Sequence, residues 1–347
     1  MYTTKLCRDT VFTVSLLLTL IGCNPNTNQN ASLTQGLPQQ SLIIDTDCGP
    51  DDLMAIAFLL QIDSIEIEAI TTSYGLADVQ RGARNICRVL TLAERAGIPV
   101  YVGQPEPLEG QRKFPLSWIQ DSEDFSEHQL PNTEKRVEPI SAHAFLSQRL
   151  RGKPVDILTL GALTNIAKVL KEVPHSTNSI RKLVIMGGSV QVEGNVFDVD
   201  EFTSPSDSVE WNLFVDPKAT DIVFSADIPI HLVPLDATNY VPIDTAFLNR
   251  FSENELSPTG RFTQTLLENI REYAEAGQYF AWDPLAAIVW LKPDFTQNQK
   301  LFLDVNMKEP HTGQTYISSE SGRAINVAVK ASQTAFNEVF IKSFILK

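Results

Sequence analysis

Short apolar runs alternate with amphipathic stretches along most of this chain. The runs are rich in β-branched residues and apolar at nearly every position, which is typical of strands buried on both faces. They are "LIIDTD" (42–47), "IEIEAITTS" (65–73), "IPVYVG" (98–103), "PVDILTL" (154–160), "RKLVIMGG" (181–188) and "IPIHLVPLD" (228–236). Helical patterns separate most of them, so we predict an α/β fold: a mostly parallel sheet with right-handed crossovers and helices on both faces.

The C-terminal third continues this body. It has helical patterns around Glu253 to Gly277 and Asp283 to Leu291, then the strand-like runs "KLFLDV", "TYIS" and "AINVAV", and a last helix. No linker interrupts the pattern, so residues 41–347 are predicted to form a single domain. Two long polar segments, Gln104 to Val137 and Gly187 to Ser208, are expected to be loops over the carboxyl edge of the sheet, where ligands of such folds bind.

The N-terminus has the pattern of a bacterial secretory signal. Lys5 and Arg8 precede the apolar stretch "VFTVSLLLTLIG", which is too short to span a membrane. The end of that stretch, "LIGC", resembles the lipobox of bacterial lipoproteins, which implies that residues 1–22 are removed and that Cys23 becomes the lipidated first residue. The alternative is an ordinary cleaved signal with an unrelated cysteine.

The segment after the signal is expected to be a tether. Residues 23–40 carry no charge and almost no large apolar side chain, and a random coil of this length spans about 20 Å. We therefore expect the mature protein to be held at a membrane of the cell envelope, outside the cytoplasm. The sequence does not distinguish the inner from the outer membrane.

The charge of the chain argues against one class of function, and its cysteines leave one pairing open. The chain has 28 Lys and Arg against 42 Asp and Glu, a net charge of −14, and no basic run, which argues against nucleic-acid binding. Cys48 and Cys87 are the two cysteines of the body. An extracytoplasmic compartment would permit a disulfide between them, and the sequence leaves that pairing open.

Four aspartates crowd the first strand-to-helix turn. Asp45 and Asp47 leave the end of the strand, and Asp51 and Asp52 lie in the first helical turn, where the helix dipole favours carboxylates. Helix capping accounts for one or two acids but not for four, whose repulsion and desolvation favour a bound cation. Oxygen ligands point to Ca²⁺ or Mg²⁺. An aspartyl-nucleophile phosphatase also begins Asp-x-Asp, but its motif needs Thr or Val where this chain has Gly49.

"DTDCGPDD" (45–52) resembles the Asp-x-Asp-x-Gly-x-Asp-Asp signature of the inosine-uridine-preferring nucleoside hydrolase family. Further landmarks follow in the family's order between Leu42 and Leu291: "AITTSYG" with "RN", "VYVG", "LGALTNIA", "VIMGG", "EGN", "EWNLFVDP", "PLDATN" and "WDPLAA". The resemblance implies a Rossmann-like sheet and hydrolysis of the N-glycosidic bond of ribonucleosides to ribose and free base, for nucleoside salvage. It also implies a homodimer or homotetramer.

The resemblance further implies one Ca²⁺ at the carboxyl edge of the sheet. Its ligands would be the carboxylates of Asp47, Asp52 and Asp283 and the main-chain carbonyl of Leu160. Asp47 would act as general base toward a water activated at the ion, and the transition state would resemble an oxocarbenium ion. Asp45 is expected to orient the ligands rather than to bind the ion.

A set of side chains is implied around the substrate. It consists of Asp51 and Asn212 at the ribose 2′-hydroxyl, Asp52 and Asp283 at the 3′-hydroxyl, Asn195 and Glu210 at the 5′-hydroxyl, Met186 as an apolar wall of the sugar pocket and Trp282 beside the base. For Met186 and Trp282 a purely structural role in the core is the alternative.

This chain departs from the family pattern at three places. Leu76 stands where the family usually has Asn or Asp near the metal and the ribose. Trp282 stands where pyrimidine-active members carry a histidine that protonates the leaving base; the purine-specific members resemble this chain there, which favours purines. The third departure is a longer, acidic segment, "VFDVDEFTSPSDS" (196–208), for which a lid, a second cation site and a solvated loop remain open.

Two alternatives to purine ribonucleoside hydrolysis follow from these departures. One is a weakly active or non-catalytic lipoprotein that captures a ribosyl ligand with Ca²⁺. The other is a hydrolase of a different N-ribosyl compound. The general base Asp47 argues against a pure binder, because binding alone does not need it.

Overall fold

A computed structural model describes residues 40–196, 208–319 and 322–346, apart from the side chains of residues 123–129. The signal segment, Cys23 and the tether up to residue 39 lie outside the described residues, as do residues 197–207 of the acidic insertion. The expectations for these segments remain predictions. In the described part of the chain, no helix is long and apolar enough to cross a membrane.

Within the described residues, nine strands form a single sheet in the spatial order β3-β2-β1-β4-β5-β6-β9-β7-β8. All neighbours from β3 to β9 are parallel, and β7 is antiparallel to both β9 and β8. The predicted mostly parallel α/β fold is therefore confirmed. The strands are β1 Gln40–Thr46, β2 Ile65–Thr72, β3 Val100–Tyr101, β4 Val155–Thr159, β5 Ile180–Met186, β6 Ile230–Val233, β7 Gln297–Val305, β8 Thr315–Ile317 and β9 Arg323–Lys330.

The crossovers are mostly helical. The helices are α1 Pro50–Leu59, α2 Val79–Leu92, α3 Leu116–Gln129, α4 Ala142–Arg149, α5 Thr164–Glu172, α6 Trp211–Phe214, α7 Pro217–Ser225, α8 Leu235–Thr238, α9 Thr245–Ser252, α10 Pro258–Asn269, α11 Arg271–Glu275, α12 Trp282–Leu291 and α13 Gln333–Phe344. The central helices α1 and α12 pack against one another and are buried almost throughout. Their first turns therefore meet at one edge of the sheet.

Two expectations about local structure need correction. The polar segment 104–137 is not all loop, because α3 lies within it and packs on α2. The helical pattern from Glu253 is divided: Ser257 caps a new helix with Pro258 at its first turn, where a missing N–H is harmless.

Cys48 and Cys87 are both buried free thiols, so the pairing that the sequence left open is not formed.

Candidate active site

The turn between β1 and α1 is shaped by Asp52. Its Oδ2 accepts a hydrogen bond from the Gly49 main-chain N–H at 3.1 Å, and its Oδ1 accepts one from the Thr46 hydroxyl. Cys48 adopts a left-handed backbone (φ 67°), and its N–H donates to Thr46 Oγ1 at 3.0 Å. The chain thus reverses direction within three residues, which turns the acids of the motif toward one point.

Three carboxylates from two helices converge there. Single oxygen atoms of Asp51, Asp52 and Asp283 lie within 4.8 Å of one another. The carboxyl group of Asp52 also lies close to that of Asp47 on one side and to that of Asp283 on the other. Asp283 is 231 residues from Asp52 in sequence, and the packing of α12 on α1 brings it to the site.

Asp47 is held by backbone on both sides. Its Oδ2 accepts the main-chain N–H of Leu76 at 3.1 Å. A Cβ added to Gly75 would lie 2.0 Å from Oδ2, and one added to Gly161 would lie 2.7 Å from the Asp47 Cβ. Any side chain at these two glycines would displace the carboxylate, so the loops after β2 and β4 form a cradle for it.

Burial and mutual repulsion disfavour the charged forms of these acids. Burial, and then the charge of Asp52, raise the pKa of Asp47 and of Asp283 well above the ordinary value. Burial and the charge of Asp52 likewise raise the pKa of the half-buried Asp51 to about 7. Four acids in this state require either protons or a cation.

The residues present fit a hard divalent cation. In the described part of the chain, Asp283 Oδ1 is buried without a hydrogen-bond partner, and the carboxylates supply only oxygen donors. Leu160 directly follows β4, and the next residue, Gly161, packs on Asp47. Of the predicted ligands, Asp52 and Asp283 belong to the three-carboxylate group, and Asp47 lies beside Asp52.

Asp45 lies behind the cluster in a buried network. Its Oδ1 accepts hydrogen bonds from the Thr71 hydroxyl and, at 2.8 Å, from the Asn165 amide, which also donates to the Thr72 carbonyl. Burial raises the pKa of Asp45 to about 7, and its Oδ2 has no hydrogen-bond partner. These contacts join β1, β2 and α5, which agrees with the supporting position expected for Asp45.

Asn212 sits at the ends of β4 and β5. Its amide nitrogen donates to the Leu160 carbonyl at 3.1 Å and lies 3.4 Å from the Met186 carbonyl and 3.3 Å from the Met186 sulfur. Met186 is 2% exposed, so its side chain forms part of the packed wall at this edge.

Glu210 and Asn195 organise the start of α6. The Glu210 carboxylate accepts main-chain N–H groups from Asn212 (2.9 Å), Gly188 (2.8 Å) and Leu213 (3.2 Å), and burial raises its pKa. The Asn195 side-chain oxygen accepts the Trp211 N–H at 3.1 Å. Both residues therefore hold backbone in place, and any contact with a 5′-hydroxyl would be additional to these bonds.

Aromatic side chains flank the acids on two sides. Tyr279 packs edge-on against the half-buried Trp282 with ring centroids 4.8 Å apart. On the other side Leu76 contacts the turn at Gly49 and packs on a cluster in which Phe114 stacks on Trp211 at 4.9 Å.

Tyr279 lies beside the acidic cluster, a position that its sequence pattern does not reveal. Within the described residues its hydroxyl is buried without a hydrogen-bond partner, while burial and the charges of Asp51, Asp283 and Asp52 raise its pKa well above the ordinary value. A phenol placed beside an acidic cluster and left unpaired is available to a ligand. The sequence could at most suggest a stacking ring at this position, because the direction of a hydroxyl depends on packing.

Two other acids at this edge anchor loops and do not join the cluster. Asp216 accepts the Leu108 N–H at 2.8 Å and the Thr164 hydroxyl at 2.7 Å. Asp236 accepts the N–H groups of Val190 and Gln191, each at 2.8 Å. They fix parts of the two long segments after β3 and β5 to the sheet.

Comparison with known proteins by family model and by sequence identity points to nucleoside hydrolases. A family model described as "Inosine-uridine preferring nucleoside hydrolase" matches residues 42–338. The pyrimidine-specific ribonucleoside hydrolase RihA of Salmonella choleraesuis is 31% identical over 284 residues, which cover 80% of this chain and 88% of that relative. The RihA of Salmonella enteritidis matches to the same extent.

Solved structures share the fold. An inosine-uridine preferring nucleoside hydrolase from Bacillus anthracis superposes with a TM-score of 0.77 at 23% identity, covering 88% of this chain and 99% of that one. A purine-preferring ribonucleoside hydrolase from Gardnerella vaginalis superposes with a TM-score of 0.75 at 24% identity, covering 88% and 98%. A plant nucleoside hydrolase, PpNRh1, gives 0.77 at 24% identity, covering 88% and 99%.

Proposed function

Because this chain belongs to the inosine-uridine preferring nucleoside hydrolase family, and is thereby an N-glycosyl hydrolase of ribonucleosides, we propose that it depends on Ca²⁺ and prefers purine bases. The observation that carries the proposal is the convergence of Asp51, Asp52 and Asp283 within 4.8 Å, beside a backbone-held Asp47. Aromatic side chains next to this cluster supply the purine preference.

Asp47, Asp52, Asp283 and the Leu160 carbonyl would hold the ion. When bound, Ca²⁺ neutralises the buried acids and polarises a water that it coordinates. Ca²⁺ is favoured over Zn²⁺ because the donors are all oxygen atoms, and it accepts more ligands than Mg²⁺ does.

Asp47 is the general base of the proposed reaction. Its Oδ2 is oriented by the Leu76 N–H, which leaves Oδ1 to accept a proton from the attacking water. The water oxygen bonds to the anomeric carbon while the bond from that carbon to the base nitrogen breaks. The leaving base takes up a proton from solvent, and Asp47 afterwards returns the proton of the water to solvent. The neighbouring carboxylates stabilise the positive charge that develops on the sugar.

The ribose is expected to lie over the acidic cluster. Asp51 and Asn212 would hold its 2′-hydroxyl, Asp52 and Asp283 its 3′-hydroxyl, and Asn195 and Glu210 its 5′-hydroxyl. These contacts would place the anomeric carbon beside Asp47. Orientation of this kind contributes to catalysis because it removes the entropic cost of alignment before reaction.

The purine preference rests on Trp282 and its surroundings. A tryptophan has no titrating group with which to protonate a leaving base, but its large ring offers a stacking surface. Tyr279 packs against it and supports the ring, whereas Phe114 and Trp211 are themselves buried. A two-ring base gains more from stacking on the half-buried Trp282 ring than a one-ring base does.

Product analysis tests the proposal. The mature chain is incubated with a panel of purine and pyrimidine ribonucleosides, with Ca²⁺ or with a chelator, and the free base is measured by chromatography. We expect hypoxanthine or adenine to be released fastest, release to stop with chelator, and Asp47→Asn to abolish it in a folded protein. Faster release of uracil would overturn the purine preference, and full activity in chelator would overturn the Ca²⁺ dependence.

We also propose that the mature chain is anchored to a cell-envelope membrane through Cys23. The support is the order of Lys5 and Arg8, an apolar stretch and "LIGC" in the sequence, followed by an uncharged segment. Labelling with a radioactive fatty acid should mark the wild-type protein and not Cys23→Ser. A soluble, unlabelled wild-type protein would contradict the anchor and leave the hydrolase proposal untouched.

A further inference from the structure

A cavity of about 430 Å³ lies between α2 and the segment 130–137. It shares no residue with the aspartate cluster. Its volume falls within the range of small-molecule sites in proteins, roughly 300–1,000 Å³.

Positive charge is concentrated around this cavity. Five of its eleven lining residues are Arg or Lys, in a chain with a net charge of −14. Arg81, Arg84 and Arg88 follow one another at intervals of three and four residues and so share one face of α2. Lys135 and Arg136 come from the facing segment, and among the described lining residues there is no carboxylate.

Arg88 connects α2 to the segment 130–137, the two sides of the cavity. Its guanidinium donates to the carbonyls of Leu130 and, at 3.0 Å, Pro131, and lies 3.4 Å from the Asn85 side-chain oxygen. Arg81 and Arg88 also have further partners in the chain, so they shape the cavity and do not carry the inference.

The inference rests on three other cationic side chains of the cavity. Arg84 and Arg136 are exposed and Lys135 is half-buried, and in the described part of the chain no hydrogen bond or ion pair engages their head groups. The Lys135 ammonium opposes the rise in the Cys87 thiol pKa that burial causes, whereas the Glu138 carboxylate, which is outside the cavity lining, adds to that rise. These like charges repel one another across the cavity, and a bound anion would relieve that repulsion.

We propose that this cavity binds the phosphate group of a small anionic molecule. Guanidinium groups present paired N–H donors that match phosphate oxygens, and a lysine adds a point charge. Gln80, Asn132 and Thr133 line the same cavity with neutral donors. Two sources carry this chemistry, a soluble phosphorylated molecule such as a nucleotide and the headgroup of an anionic phospholipid.

Binding measurements on the full chain with Cys23→Ser, which removes the proposed lipidation site, separate these sources. Calorimetry uses pyrophosphate and AMP as probes, and co-sedimentation compares phosphatidylglycerol with phosphatidylcholine vesicles. We expect saturable binding that weakens with salt. Binding to pyrophosphate or AMP identifies a soluble ligand, and binding to phosphatidylglycerol vesicles alone identifies the headgroup. Either result supports the proposal.

A triple variant, Arg84→Ala with Lys135→Ala and Arg136→Ala, tests the location. We expect it to bind at least tenfold more weakly, since the loss of a single charged hydrogen bond already costs about that factor. The matched control, Lys153→Ala with Lys171→Ala and Lys308→Ala, removes three exposed charges elsewhere and should bind as the parent does. If the triple variant unfolds, the single variants Arg84→Glu and Arg136→Glu replace it. No binding by the parent, or equal binding by the cavity variants, overturns the proposal.

Discussion

The main-chain N–H of Leu76 donates a hydrogen bond to Oδ2 of Asp47 over 3.1 Å. Backbone therefore orients the proposed general base, whatever side chain stands at position 76. The Leu76 side chain lies between the turn at Gly49 and the Phe114–Trp211 cluster. This arrangement explains how a leucine is accommodated at a place where the family usually carries Asn or Asp.

Leu76→Asn is accordingly expected to retain activity. The N–H donor to Asp47 is unchanged, and only the packing of a half-buried side chain is lost. We expect kcat/KM within about threefold of wild type and a loss of about 1 kcal/mol in the free energy of unfolding. Steady-state kinetics and denaturant unfolding measure both. A hundredfold loss of activity would show that the leucine side chain itself is needed.

Gly75→Ala should abolish activity. The added Cβ would lie 2.0 Å from Asp47 Oδ2, so either the carboxylate or the loop must move. A displaced catalytic group commonly costs 10²-fold or more. Gly97→Ala is the matched control, because nothing lies within 4 Å of its added Cβ. Base release equal in the two variants would show that Gly75 and Gly161 do not form a cradle for Asp47.

Ca²⁺ should stabilise the protein, and most strongly at neutral pH. In the metal-free state the pKa of Asp45 and of Asp51 rises from 3.8 to about 7. A raised folded-state pKa means that the native state binds more protons than the unfolded state between these two values. Its stability therefore falls as the pH increases from about 4 to about 7.

Thermal unfolding at pH 5 and pH 7.5, with chelator and with Ca²⁺, measures this effect. We expect the melting temperature in chelator to be higher at pH 5, and saturating Ca²⁺ to add about 2.7 kcal/mol at 100 times its Kd. Asp283→Asn should remove most of the Ca²⁺ response. A melting temperature in chelator that rises with pH across this range would contradict the raised pKa values of Asp45 and Asp51.

Tyr279→Phe tests whether the Tyr279 hydroxyl contacts bound substrate. The hydroxyl is buried and has no hydrogen-bond partner, so its removal should leave stability unchanged or raise it. If the hydroxyl donates to bound substrate, kcat/KM should fall about three- to tenfold, which corresponds to about 0.5–1.5 kcal/mol. Tyr273→Phe, at a site 49% exposed, serves as control. Unchanged kinetics in Tyr279→Phe would place the hydroxyl outside the substrate contacts.

Trp282→Ala should raise KM for inosine more than for uridine. Loss of the ring removes a stacking surface from the larger base, and aromatic contacts of this kind contribute about 0.5–1.5 kcal/mol beyond the area they bury. Trp282→Phe keeps a smaller ring and should lie between wild type and Trp282→Ala. Equal effects on both nucleosides would argue that Trp282 supports the helix start and does not contact the base.

Much of the fold was predictable from local pattern. Buried parallel strands such as β4 are apolar at nearly every position, and this signal does not depend on their neighbours. The family resemblance, carried by "DTDCGPDD" and the landmarks after it, is confirmed by the match over residues 42–338. The α3 helix was missed because its sequence, "LSWIQDSEDFSEHQ", is polar and acidic, and its packing on α2 is not visible in local periodicity.

The sheet, the acidic turn after β1 and the identity of its acids could be predicted from the amino-acid sequence, since strand pattern and motif spacing are local properties. The surroundings of these acids depend on the tertiary structure. It set the packing of α12 on α1 that brings Asp283 to Asp52, the close approach of Gly75 and Gly161 to Asp47, and the unpaired hydroxyl of Tyr279. These relationships join residues far apart in the chain, and they depend on the distances and directions that packing alone fixes.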